Sequence, residues 1–252
     1  MSIRFTPLEI SRSQLSQSNI MTHNEIKQQL RFLGNPERAE HSKKFFKTGK
    51  GEYAEGDQFF GCTVPEIRII AKENKNTSLV ELGKLLEDEM HECRLCALVI
   101  LVERFKKADE EKCGEIVDFY LAHTHRINNW DLVDVSAHKI LGEWLKDKNR
   151  AILYSLADDD LLWNQRIAVI ATFAFIREDD FTEILALSEK FLTHKHDLMH
   201  KACGWMLREV GKRDELTLTD FLDKHAHKMP RTMLRYSIEK FSPEKRMHYL
   251  KK

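Results

Sequence analysis

Four stretches decide how this chain folds: "CRLCALVIL" (93–101), "WDLVDVSA" (130–137), "NQRIAVIA" (164–171) and "HKACGWML" (200–207). Each carries apolar residues at helical spacing. Laid over one another they place Ala97, Val133, Ala168 and Cys203 in one register, with separations of 36, 35 and 35 residues. A small or β-branched residue recurring at such a period marks stacked helix pairs. No single pair can bury its apolar stripe, so each stacks on the next, and the small residue lets inner helices approach closely. The expectation is an all-α fold: a right-handed α-solenoid of helical repeats with a concave face. An irregular all-α bundle is the alternative.

The rest of the chain agrees with this reading. Segments such as "THNEIKQQLRFL", "SLVELGKLLED", "EEKCGEIVDFYLAH", "DDFTEILALSEKFL" and "RTMLRYSIEKF" repeat the 3.6-residue apolar period, and no hairpin signal interrupts them. Only 10 Gly and 5 Pro occur in 252 residues, which favours long helices and few tight turns. The Gly-rich stretch "GKGEYAEGDQFFGCTVP" (49–65) reads as a long loop that Pro65 ends by opening a helix. Residues 1–20 are Ser/Gln-rich without a continuous apolar core, so a loose tail is expected rather than a signal peptide, with 21–252 forming one domain.

Composition narrows the partners. No apolar run reaches the roughly 18–20 residues of a membrane span. Five cysteines without framework spacing suit a reducing compartment, so the cytoplasm is expected, near the nucleoid in a bacterium. Net charge is zero, but residues 1–50 hold 9 Lys/Arg against 4 Asp/Glu, and residues 181–252 hold 15 against 10. A basic surface built from both ends around an acidic middle would still attract phosphate.

One stretch does not suit a plain core. In "INNWDLVD" (127–134) a tryptophan and two acids sit among Ile, Leu and Val. If Trp130 opens a helical turn, Asp134 shares its face. In the repeat register Arg166 falls at the position equivalent to Trp130, and Trp205 about one turn further along its own helix. A solenoid core asks for Leu and Ala there. Taken singly, each has a bland reading: a half-buried tryptophan, a surface acid, a snorkelling or ion-paired arginine. Together they converge on one strip. Two other patterns carry less. "HKHDLMH" (194–200) has His196 and His200 at i, i+4, but an aspartate where a zinc helix has glutamate, and reads as surface histidines opening a helix. "CRLC" (93–96) lies in a strongly apolar helix and reads as buried, inert thiols. No phosphate loop, nucleophile elbow or metal set appears, so no cofactor is called for.

These segments carry a resemblance. "INNWDLVD", "LLWNQRIAV" and "HKACGWMLREVGK" resemble three signature segments of the AlkD-like DNA alkylation repair family, HEAT-like-repeat DNA glycosylases. "GCTVPEIRIIAKE" (61–73) is similar to the family's N-terminal G-x-x-x-P-x-x-R segment. The similarity runs from about Asn35 to about Phe241. It implies a monomer acting on duplex DNA that contains alkylated bases, without metal or cofactor, cradling the lesion's sugar and backbone. Carried over by position, Asp134 matches the catalytic carboxylate, Trp130 and Trp205 the two site tryptophans, and Arg166 the site arginine. Phe45 stands where some members have tyrosine, so that hydroxyl is missing, and the 48–60 loop is longer than in compact members.

The residue types suit the implied chemistry. An N3- or N7-alkylated purine is already cationic, so its glycosidic bond breaks with little acid help and leaves an oxocarbenium-like sugar. Such a reaction needs a fixed negative charge and an oriented water, which one carboxylate supplies. Indole faces add cation–π attraction, and arginine is expected to hold a phosphate. A catalytically silent HEAT-like scaffold that binds DNA or protein is the alternative.

Overall fold

The structure, a computed structural model, describes residues 21–251; the expected tail at 1–20 lies outside them. In chain order the α-helices are α1 (His23–Leu33), α2 (Pro36–Phe45), α3 (Val64–Glu73), α4 (Leu79–Leu86), α5 (His91–Phe105), α6 (Glu110–Ala122), α7 (Trp130–Ser136), α8 (Ala151–Ala157), α9 (Leu162–Ala171), α10 (Phe173–Ile176), α11 (Thr182–Lys190), α12 (Asp197–Arg213), α13 (Glu215–His225), α14 (Arg231–Ser237) and α15 (Pro243–Lys251). Among the described residues the only β-type pairing is one isolated bridge, Gln58 with Met90.

The helices form two layers of a repeat stack. In the inner layer α3, α5, α7, α9, α12 and α14 pack each on the next. In the outer layer α4, α6, α8, α11 and α13 each lie against an inner neighbour. This is the all-α repeat architecture that the 35-residue register implies. The register residues Ala97, Val133, Ala168 and Cys203 are all fully buried. A close helix crossing uses the residue beside the register: a Cβ on Gly204 would sit 2.6 Å from the Met233 carbonyl oxygen of α14. Only glycine permits that approach.

Helix starts follow local chemistry. Thr22 with Glu25 and Thr63 with Glu66 form complete capping boxes, each worth about 1 kcal/mol. Pro65 sits in the first turn of α3, as its position after the Gly-rich loop implies. The helix that opens at Trp130 ends early: Ser136 turns its hydroxyl back to the Leu132 carbonyl at 2.6 Å, and a π-helical turn, His138–Gly142, follows. That wide turn continues the inner layer against α9. Helices α2, α13 and α15 stand outside the segments read above; α2 buries only Ala39.

Candidate active site

The first turn of α7 carries the site. Asn129 is the N-cap, and its side-chain oxygen accepts the Trp130 amide at 2.8 Å. Trp130 is therefore the first helical residue and Asp134 lies one turn on, on the same face. Asp134 meets Arg166 of α9 in a two-pronged ion pair, Nε to Oδ1 at 3.0 Å and Nη2 to Oδ2 at 2.9 Å. The third prong, Nη1, donates to the Leu198 carbonyl of α12 at 2.7 Å. One arginine thus ties three successive inner helices together. It is 4% exposed, while 19% of the Asp134 side chain stays open. Burial pushes the Asp134 carboxyl above the usual carboxylate range. The guanidinium charge and its two hydrogen bonds act the other way, favouring the ionised form.

Asp134 and Arg166 line an open cavity of about 710 Å³ whose walls are aromatic. Phe45, Trp130 and Trp205 line it too, so all five residues expected at the site meet there. The Trp130 ring lies edge-on to Phe45 at 5.8 Å and tilted against Phe46 at 5.4 Å. Trp205 leans on Phe173 at 6.1 Å, and its indole N–H donates to Glu209 at 3.2 Å. Phe45 is 56% exposed, an open apolar face at the cavity edge.

Arg166 departs from expectation. Its donors are engaged by Asp134 and Leu198 and the group is buried, so in this geometry it serves the carboxylate rather than a phosphate. Among the cavity residues that the sequence did not assign to the site are Lys47, Tyr53 and His196. Lys47 is exposed, has backbone φ of 59°, and has no ion-pair partner among the described residues. The other cavity cations are paired, Lys201 with Asp197 and Arg208 with Glu239. Tyr53 comes from the loop after α2, where glycines announce a loop but not what it touches. His196 is the N-cap of α12 and half-buried, not one of the surface histidines expected there.

A buried charge quartet holds the loop in place. Asp57, on the loop, pairs with Arg94 of α5 at 2.7 Å and with His91 Nδ1 at 3.4 Å. His91 Nε2 meets Asp131, next to Trp130, at 2.8 Å. Burial alone would push the imidazolium down, but the charge and hydrogen bond of Asp131, joined by Asp57, outweigh it and raise its pKa to about 9. Further along, buried Glu92 accepts the amides of Phe60, Gly61 and Cys62 at 3.0, 2.7 and 3.2 Å. Gly61 is required here: its φ is +85° and a Cβ would lie 2.2 Å from the Asn35 carbonyl oxygen.

Among the described residues no group of three or more His, Cys, Asp or Glu can hold a metal ion. Cys93 and Cys96 are fully buried, and burial pushes both thiols up, Cys96 to about 12. No described helix is long and apolar enough to cross a membrane.

The family profile described as "DNA alkylation repair enzyme" matches residues 26–241, most of the chain. The protein belongs to the DNA alkylation repair enzyme family. A solved structure, "Predicted DNA alkylation repair enzyme from Enterococcus faecalis", is similar with a TM-score of 0.65 and 17% identity, over 85% of this chain and 99% of that one. At that identity the likeness speaks for the shared fold. None of the curated proteins compared with the chain matches it.

Proposed function

We propose that this DNA alkylation repair enzyme is a glycosylase that hydrolyses the N-glycosidic bond of cationic N3- and N7-alkylpurines in duplex DNA. The observation that carries the reading is a carboxylate, Asp134, held from behind by both prongs of Arg166 and open on one side to an aromatic cavity. A carboxylate so fixed stabilises an oxocarbenium-like sugar without reorganising and orients the attacking water. The indoles of Trp130 and Trp205 offer cation–π attraction, about 0.5–2 kcal/mol each. Arg166 favours the ionised form of Asp134 and keeps it aimed, and Lys47 supplies the phosphate contact. Arg68, Lys106 and Arg177 lie near enough to Lys139 to depress its ammonium together with burial, while Lys106 and Arg177 are themselves paired with Glu103 and Glu143. That cluster comes from the formally acidic middle of the chain, not from its basic ends.

The test is Asp134→Asn under single-turnover conditions. The reading expects release of 7-methylguanine to fall by about 10²-fold or more, with affinity for duplex DNA nearly unchanged. Near-wild-type release would overturn it. With no general acid assigned to the reaction, uracil and hypoxanthine, which without protonation would have to leave as anions, should stay in place.

A further inference from the structure

The two site tryptophans are held in different ways. Trp130 is wedged between rings, with Phe45 at 5.8 Å and Phe46 at 5.4 Å. Trp205 has one ring neighbour among the described residues, Phe173 at 6.1 Å. Its second restraint is polar: the indole N–H donates to Glu209 Oε1 at 3.2 Å. Glu209 lies one turn further along α12, on the same face, and stands outside the lining of the cavity. It is itself braced. Lys212 Nζ reaches both of its oxygens, at 2.8 and 2.9 Å, and Arg208 Nη2 lies 3.5 Å away. Arg208 also pairs with Glu239, just past α14, so the brace reaches the next inner helix.

A helix-surface ion pair does not need this arrangement. Glu209 and Lys212, at i, i+3, would pair as well in open solvent, yet only 13% of the Glu209 side chain is exposed. An indole beside a reacting sugar acts on the transition state only if it keeps one orientation, because a misplaced group loses most of its effect. A single ring contact leaves the indole free to turn. A directional hydrogen bond to a fixed carboxylate removes that freedom. Resting on the glycosylase reading above, we infer that Glu209 is a positioning residue for the reaction: it locks the Trp205 indole in the orientation in which it lines the cavity, and touches no substrate itself. Lys212 and Arg208 hold the carboxylate rather than the ring.

The hydrogen bond and the charge can be separated. Glu209→Gln keeps an acceptor for the indole and removes the charge, whereas Glu209→Ala removes both. Each frees Lys212 and Arg208 alike, so any change in DNA affinity from those cations is common to the two variants. Under single-turnover conditions with saturating enzyme, Glu209→Ala should release 7-methylguanine about tenfold more slowly than Glu209→Gln, with their duplex affinities within about twofold. By NMR, the Trp205 indole proton should exchange with water faster in Glu209→Ala than in Glu209→Gln. In a Trp205→Phe background, which lacks the N–H, the two substitutions should give the same release rate. Equal release by the two single variants, equal exchange, or a gap that persists without the indole N–H would overturn the inference while the glycosylase reading stands. If the wild-type chain releases no methylated base, the glycosylase reading itself fails and the positioning role with it.

Discussion

Two charge clusters lie on either side of Trp130, and they are built for different ends. The Asp57–His91–Asp131–Arg94 quartet is closed around three buried members: two carboxylates meet two cations, Asp57 is 6% exposed, His91 2% and Arg94 1%, and Asp131, as open as Asp134, spends a carboxylate oxygen on buried His91. The rings of Phe46 and Phe59 cover His91 at 5.0 and 4.8 Å. The Asp134–Arg166 pair is open: the guanidinium is buried, but the carboxylate keeps an edge on the cavity. A buried ion group with every member paired gives no net pull on a ligand and serves to fix geometry. A carboxylate supported on one side and open on the other is a preorganised charge. The neighbouring acids Asp131 and Asp134 therefore belong to different machines, one holding the loop and α7 in place, the other facing the aromatic cavity.

That contrast can be broken most sharply from the closed side. Asp57→Ala leaves Arg94 and His91 buried beside an empty position, and unfolding should become easier by about 3–5 kcal/mol in denaturant titration. A loss below about 1 kcal/mol would show the quartet to be dispensable. Next comes Arg166→Ala, which removes the support of Asp134. Its single-turnover rate should fall on the order of 10²-fold, while the slope of log affinity against log salt stays as in wild type. A slope smaller by one unit would return Arg166 to the phosphate role expected from the sequence.

The quartet also titrates. The folded-state pKa of His91, about 9, lies above its ordinary 6.5, so its contribution is fully present below pH 6.5 and is lost as pH rises through 9. The melting temperature should decline over that window, and His91→Gln should flatten the decline. An equal slope in the variant would place the titrating group elsewhere. The smallest effect belongs to Lys47→Ala: affinity for lesion and plain duplex should weaken by a similar few-fold factor, and the salt slope should shrink by about 0.9. An unchanged slope would remove Lys47 from the DNA contact.

The legible parts of the site are those that ride on periodic helices. Trp130, Asp134, Arg166 and Trp205 lie on helices whose phase follows from the apolar pattern, so their shared strip could be read from spacing alone. Lys47 and Tyr53 lie between Phe45 and Thr63, where turns with positive φ at Lys47, Gly51, Gly56 and Gly61 replace any period. Their position depends on Asp57 and Glu92 finding partners more than thirty residues away. Phe45 was placed through family likeness alone, since α2 has almost no apolar phase of its own.

The sequence by itself determined the all-α repeat stack, because a helix that cannot bury its stripe alone must find another of the same period, and it determined which helices carry the acid and the indoles. Only the tertiary structure decided which way Arg166 turns, that His196 caps α12 at the cavity, and that the loop brings Tyr53 into the same cavity as Trp130. Spacing along one helix follows from 3.6 residues per turn. Which partner a long polar side chain selects depends on what the neighbouring helices leave buried and unpaired, and that exists only once they have packed.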